Sequence, residues 1–248
     1  MPPREFLLSS CRHMLETALA GGYRFVGYAD IGREKSPLTC LLRHDVDSEL
    51  FGVQPMMELE KALGVGATYF LMTRSTAYNL FCLEACRIVG RLLENDHRIG
   101  LHFMGELCQH DSVDVLVEKV RREADLLERE FGTTVEAVSF HQPSQAILDG
   151  KVEVPGLVNT YNQVQMRGYF YVSDTNMTWQ HEHPVEIFER GLYPRLQLLL
   201  HPMWWTERPV DLMAKWRAVL DANRRTVIEH WRERERTLRE VDVGELDA

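Results

Sequence analysis

Two rhythms of apolar residues alternate along this chain: runs without helical period, and longer stretches with an apolar residue every third or fourth position. Phe6 to Leu19 reads as a helix stopped by Gly21-Gly22, followed by a strand candidate, Tyr23 to Tyr28. Leu38 to Leu42 predicts a buried strand, and Val53 to Leu63 a helix ending at Gly64. Ala67 to Met72 is a strand, Phe81 to Leu93 a helix and Arg98 to Leu101 a short strand. Val113 to Phe131 is a long amphipathic helix ending at Gly132, and Val135 to Phe140 is the next strand. Gln142 to Arg167 is richer in Gly, Pro, Asn and Gln and reads as a long loop. Tyr169 to Val172 and Arg195 to Leu200 are further strands. Val210 to about Arg236 is a terminal helix with Met213, Trp216, Leu220, Val227 and Trp231 near helical spacing.

Strand-helix repetition predicts an α/β fold with a parallel sheet, either open and doubly wound or curled into a barrel of about seven strands. Both forms bind ligands at the carboxyl ends of their strands. Ionisable residues gather at those ends. Arg43-His44-Asp45-Val46-Asp47 follows the Leu38–Leu42 run and puts two carboxylates two residues apart. A stable core has no use for two like charges there. A metal site does, since one carboxylate can bind the cation while the other stays free as a base. Leu101-His102, Phe140-His141, Ser173-Asp174 and Leu200-His201 repeat the arrangement.

Composition narrows the function. The 248 residues carry a net charge of −9, which argues against a nucleic-acid partner. No run approaches the ~18 apolar residues of a membrane span. Met1 to Ala20 is interrupted by Arg4, Glu5, Arg12, His13 and Glu16 and does not read as a signal peptide. Five cysteines, Cys11, Cys40, Cys82, Cys86 and Cys108, lack framework spacing and suggest reduced thiols in the cytoplasm. With neither a Gly-x-Gly-x-x-Gly nor a phosphate loop, a nucleotide cofactor is disfavoured. The reading is of one domain over residues 1–248.

In order, Arg43-His44-Asp45-Val46-Asp47, Ala67-Thr68-Tyr69-Phe70, Ile99-Gly100-Leu101-His102, Ser173-Asp174 and Leu198-Leu199-Leu200-His201-Pro202 resemble the motifs of the polysaccharide deacetylase superfamily (NodB-like, carbohydrate esterase 4). The resemblance spans roughly residues 38 to 205 and looks closest to the divergent branch of surface-polysaccharide and natural-product loci. It implies a distorted (β/α)-barrel of about seven strands, one divalent metal, and removal of an N-acyl group from a sugar. It implies Asp45 as catalytic base, Asp47 as metal ligand and His201 as catalytic acid. The family's Asp-to-Trp motif, which supports that His, is similar to Asp174 through Trp179 with a wider gap.

Two motifs depart from the family pattern. The second usually carries two His four residues apart; here Glu106 stands four after His102. The third is usually Arg-x-Pro-Tyr; here it is His141-Gln142-Pro143-Ser144. The third ligand is then His141 or Glu106, with His141 preferred because imidazole suits a borderline ion. The expected set is Asp47, His102 and His141 on one ion, zinc first, with nickel, cobalt or manganese as alternatives. Arg43 would pair with Asp45 in place of the missing Arg. Glu106, Trp179, Trp204 and Trp205 complete the candidate substrate contacts. The expected substrate is a small, nucleotide-linked or lipid-linked amino sugar. The competing readings are an amidohydrolase on a small non-sugar amide and a non-catalytic metal- or carbohydrate-binding barrel. His44, His97, His181 and His183 have no evident place in the site and read as surface or supporting residues.

Overall fold

The structure, a computed structural model, describes residues 6–108 and 111–239. In chain order the elements are α1 (Leu8–Ala20), β1 (Arg24–Phe25), β2 (Thr39–Val46), α2 (Val53–Leu63), β3 (Thr68–Leu71), α3 (Leu83–Glu94), β4 (Arg98–Met104) and α4 (Val113–Phe131). There follow β5 (Ala137–His141), α5 (Gln145–Leu148), β6 (Val158–Asn159), β7 (Phe170–Ser173), α6 (Pro184–Arg190), β8 (Arg195–Leu200), α7 (Leu212–Arg234) and α8 (Arg236–Arg239). The chain divides into two compact units, residues 1–209 and 210–248.

In the first unit seven strands run in the order β6-β5-β4-β3-β2-β8-β7, with the short β1 added against β2. Every pairing between these strands is parallel. The sheet is curled into a half-barrel, the distorted (β/α)-barrel expected from the sequence. Parallel strands carry their carboxyl ends to one rim, so the chemistry gathered there follows from topology.

All eight residues of β2 are buried. Side chains alternate between the two faces of a strand. Leu41 lies on one face and packs in the barrel interior with Tyr28, Phe70 and Ala137. Arg43 and Asp45 share that face by their spacing. His44 lies on the other, where its Nε2 is 2.5 Å from Glu60 of α2. Tyr69 donates its hydroxyl to the same carboxylate at 2.8 Å, and His97 Nδ1 lies 3.6 Å from it. His44 and His97 therefore belong to the interior between sheet and helices, not to the surface.

Helices α2 and α4 begin and end as read from sequence. Each is stopped by a glycine in the left-handed region, Gly64 at φ 66° and Gly132 at φ 61°, where a side chain would strain the backbone. Strand β2 runs four residues beyond Leu42, because Arg43 to Val46 are buried and paired; β4 runs through His102 to Met104 for the same reason. The stretch Gln142–Arg167, expected as loop, holds the short α5 and β6. Helix α6, at seven residues, is too short to show a period in the sequence. In the second unit Met213, Trp216, Leu220, Val227 and Trp231 of α7 are exposed rather than buried. Among the described residues no helix is long and apolar enough to cross a membrane.

Candidate active site

Five strand ends on one rim, those of β2, β4, β5, β7 and β8, supply the site. Asp45 is the next-to-last residue of β2 and Asp47 lies just beyond the strand. His102 comes from β4, His141 from the end of β5, and His201 from the residue after β8. Ser173 of β7 is in register with Leu199, and Asp174 donates its backbone N–H to the Leu199 carbonyl at 3.2 Å. That register sets the Asp174 carboxylate beside His201.

Arg43 and Asp45 form a buried fork. Arg43 Nε donates to Asp45 Oδ1 at 2.8 Å and Nη2 donates to Oδ2 at 2.6 Å. The remaining guanidinium nitrogen, Nη1, donates to Thr160 Oγ1 at 3.2 Å. The guanidinium carbon lies 5.3 Å from the Phe70 ring centre and 5.7 Å from that of Tyr161, so aromatic faces close off the charge on its other sides. Burial works against ionised Asp45, but the Arg43 guanidinium and then the His102 imidazole hold its carboxyl far below the usual carboxylate range. Ser139 also donates to Oδ1, at 3.4 Å. Oδ2 is the oxygen that faces His102, 3.7 Å from its Nε2.

His102 is fixed from behind, its Nδ1 2.6 Å from Ser139 Oγ. Its Nε2 lies 2.9 Å from Asp47 Oδ1, yet that oxygen is buried with no partner in hydrogen-bond geometry. The His141 ring stands edge-on to His102, centroids 5.6 Å apart at 85°, and its Nδ1 is likewise buried without a hydrogen bond. Burial raises the Asp47 carboxyl, and His102 and His201 outweigh it and bring it below its ordinary value. Among the described residues no group of three His, Cys, Asp or Glu is drawn tightly enough to form a finished cage. The donor types nevertheless fit a divalent ion: one carboxylate and two imidazoles, with one oxygen and one nitrogen buried and unspent. Glu106, the alternative third donor, lies exposed on the 3-10 turn Gly105–Cys108.

His201 and Asp174 are a pair. His201 Nδ1 is 2.5 Å from Asp174 Oδ1, and the His201 backbone N–H reaches both carboxylate oxygens, at 3.1 and 2.9 Å. Its Nε2 points toward the other carboxylates, 3.8 Å from Asp47 Oδ2. Burial opposes a charged ring; Asp174, reinforced by Asp47 and Asp45, overcomes it and pushes the His201 pKa up to about 9.

No family model matches this sequence, and no curated protein matches it. Solved structures do. A family 4 carbohydrate esterase from Streptococcus mutans is similar at 14% identity and a TM-score of 0.48, covering 87% of this chain and 91% of its own. The deacetylase PplD of Streptococcus pyogenes, solved with acetate, is similar at 15% identity and a TM-score of 0.47, over 79% of this chain and 81% of its own. The chitin deacetylase of the fungus Colletotrichum lindemuthianum is similar at 15% identity and a TM-score of 0.46, over 74% and 81%. What this chain does must be read from its own side chains.

Of the sequence candidates, the structure brings Arg43, Asp45, Asp47, His102 and His201–Asp174 together and sets His141 beside them. Trp204 and Trp205, expected against a sugar, are 7% and 4% exposed. Trp179 stacks on Phe6 at 5.8 Å rather than standing free. Two site residues and one role do not show in the sequence. Ser139 lies inside a strand run, Thr160 lies in a stretch that reads as loop, and Trp205, expected against a sugar, instead donates its indole N–H to Asp174 Oδ2 at 2.9 Å. Only the inward parity of Ser139, two before His141, offered a signal.

Proposed function

We propose that this chain is a metal-dependent hydrolase that removes an N-acyl group, N-acetyl first, from an amino-sugar intermediate of glycan or glycoconjugate assembly. The observation that carries the reading is the convergence, at one rim, of a forked carboxylate, a second carboxylate with an unspent oxygen, and a buried His–Asp pair. Neither packing nor simple binding calls for all three.

An amide is a poor electrophile and an amine a poor leaving group. Asp47, His102 and His141 would hold a divalent ion, zinc ahead of nickel, cobalt or manganese. When bound, it supplies Lewis-acid polarisation of the acyl carbonyl and a more acidic water. Asp45 accepts the water proton at Oδ2, the oxygen turned toward His102. Arg43 keeps that carboxylate ionised and fixed, so the proton rests there only in passing. His201 donates its Nε2 proton to the amine nitrogen as the C–N bond breaks, giving free amine and carboxylate. Asp174 holds the Nδ1–H and stabilises the charged ring before that transfer.

The substrate in this reading is a small, nucleotide-linked or lipid-linked amino sugar. The chain's five free cysteines support work in a reducing cytoplasm. The test is acetate release by zinc-loaded protein from N-acetylated amino sugars offered free, nucleotide-linked and lipid-linked, alongside small N-formyl and cyclic amides. Release from at least one sugar form is expected. Turnover confined to the non-sugar amides would move the activity to that class, and no turnover on any of them would contradict a hydrolase.

A further inference from the structure

We propose that Trp205, backed by Phe6, is a positioning residue that holds the Asp174–His201 pair in place for proton transfer. This rests on the reading of His201 as the proton donor. Asp174 is fully buried. Two of the N–H groups on its carboxylate, the backbone N–H and Nδ1 of His201, belong to the residue it positions. Bonds within the pair fix its internal geometry and the β7–β8 pairing fixes the two backbones, but neither grips the carboxylate from outside the pair. Trp205 Nε1, 2.9 Å from Oδ2, is a donor from outside the pair. It anchors the carboxylate plane on the side away from the imidazole.

The indole is itself held. Phe6 meets it edge-on at 5.4 Å, and Phe6 stacks in turn on Trp179 at 5.8 Å. The backbone just after it, at Thr206, is laced to the N-terminal segment. Leu8 donates to the Thr206 carbonyl at 3.0 Å, Thr206 donates to the Phe6 carbonyl at 3.2 Å, and Leu7 and Thr206 form a parallel bridge. A segment more than 30 residues before the first site motif thus braces the proton donor.

Trp205→Phe keeps an aromatic ring against Phe6 and removes the indole N–H, together with the volume of one ring. Asp174 Oδ2 retains the His201 backbone donor, so the fold should survive. The expected result is kcat for acetate release lowered by roughly fivefold to tenfold with KM within about twofold, the signature of an interaction that matters in the transition state. The downfield His201 Nδ1–H proton resonance, assigned by its loss in His201→Gln, should broaden or shift. Phe6→Leu leaves the indole in place and loosens its support; it should move both readouts in the same direction by less, and it serves if Trp205→Phe does not fold. An unchanged resonance in both variants, or a shifted resonance with unchanged kcat, overturns the proposal. Wild-type protein that releases no acetate refutes the deacetylase reading instead, and the resonance alone then decides whether Trp205 holds the pair.

Discussion

Arg43 and Asp45 stand two positions apart on one strand, so their side chains leave the same face and an arginine can reach the carboxylate it precedes. Paired and dry, the fork is costly to break: loss of one partner from a buried ion pair costs about 3–5 kcal/mol, chiefly by stranding the other charge. In the proposed mechanism that limits the basicity of Asp45 and leaves the neighbouring carboxylate, Asp47, to hold the ion. The unspent nitrogen of His141 and the exposure of Glu106 favour His141 as the third donor in the proposed site. His141→Ala should weaken zinc binding at least tenfold, as loss of one inner-sphere or supporting donor does, while Glu106→Ala should leave it near wild type. Zinc titration of the two apo variants checks this. The reverse order would move the third donor onto the turn after β4. Sequence showed which residues stand at strand ends, because chemistry-bearing types break apolar runs. It did not show that Arg43 spends its fork on Asp45, that Ser139 backs His102, or that Trp205 feeds Asp174. Those depend on which strand lies beside which.

Strand β2 is held on both faces, by the Arg43–Asp45 fork within the barrel and by His44 against Glu60 of α2. The second cluster sets a pH dependence. His97 Nδ1 accepts the Ala67 backbone N–H at 3.3 Å, a bond that protonation of that nitrogen would remove. Burial lowers the His97 pKa below 6.5, and Glu60 only partly opposes it. The ring is thus neutral when folded and free to take a proton when unfolded. Its contribution is complete above pH 6.5 and is lost as pH falls through the lower folded value. The melting temperature should drop on acidification from about pH 7 to 5, and less so in His97→Phe, as thermal melts across that range would show. Equal drops in both proteins would contradict it. Elements were legible where period and punctuation agreed, as for α2 and α4 with their glycine stops. Arg-His-Asp looks like an exit from the core, yet β2 continues four residues beyond Leu42. Tertiary pairing overrode that signal, and the seven-residue α6 was too short to carry one.

At the scale of the whole first unit, a parallel half-barrel gathers five strand ends onto one rim, and the site is what those ends present. Fold class follows from alternating strand and helix patterns; the order of strands, which makes neighbours of β2, β8 and β7, does not. That order is what joins His201 to Asp174 and both to Asp47. The central claim is that these residues divide the work, Asp47 holding the ion, Asp45 accepting a proton and His201 giving one. The most direct measurement is acetate release from N-acetylated amino sugars by wild type, Asp45→Asn and His201→Gln, each confirmed folded and assayed for zinc content. The account predicts equal zinc in all three and hydrolysis at least about a hundredfold slower in both variants, the usual worth of a general base or acid. Either variant hydrolysing at the wild-type rate with zinc bound would contradict it.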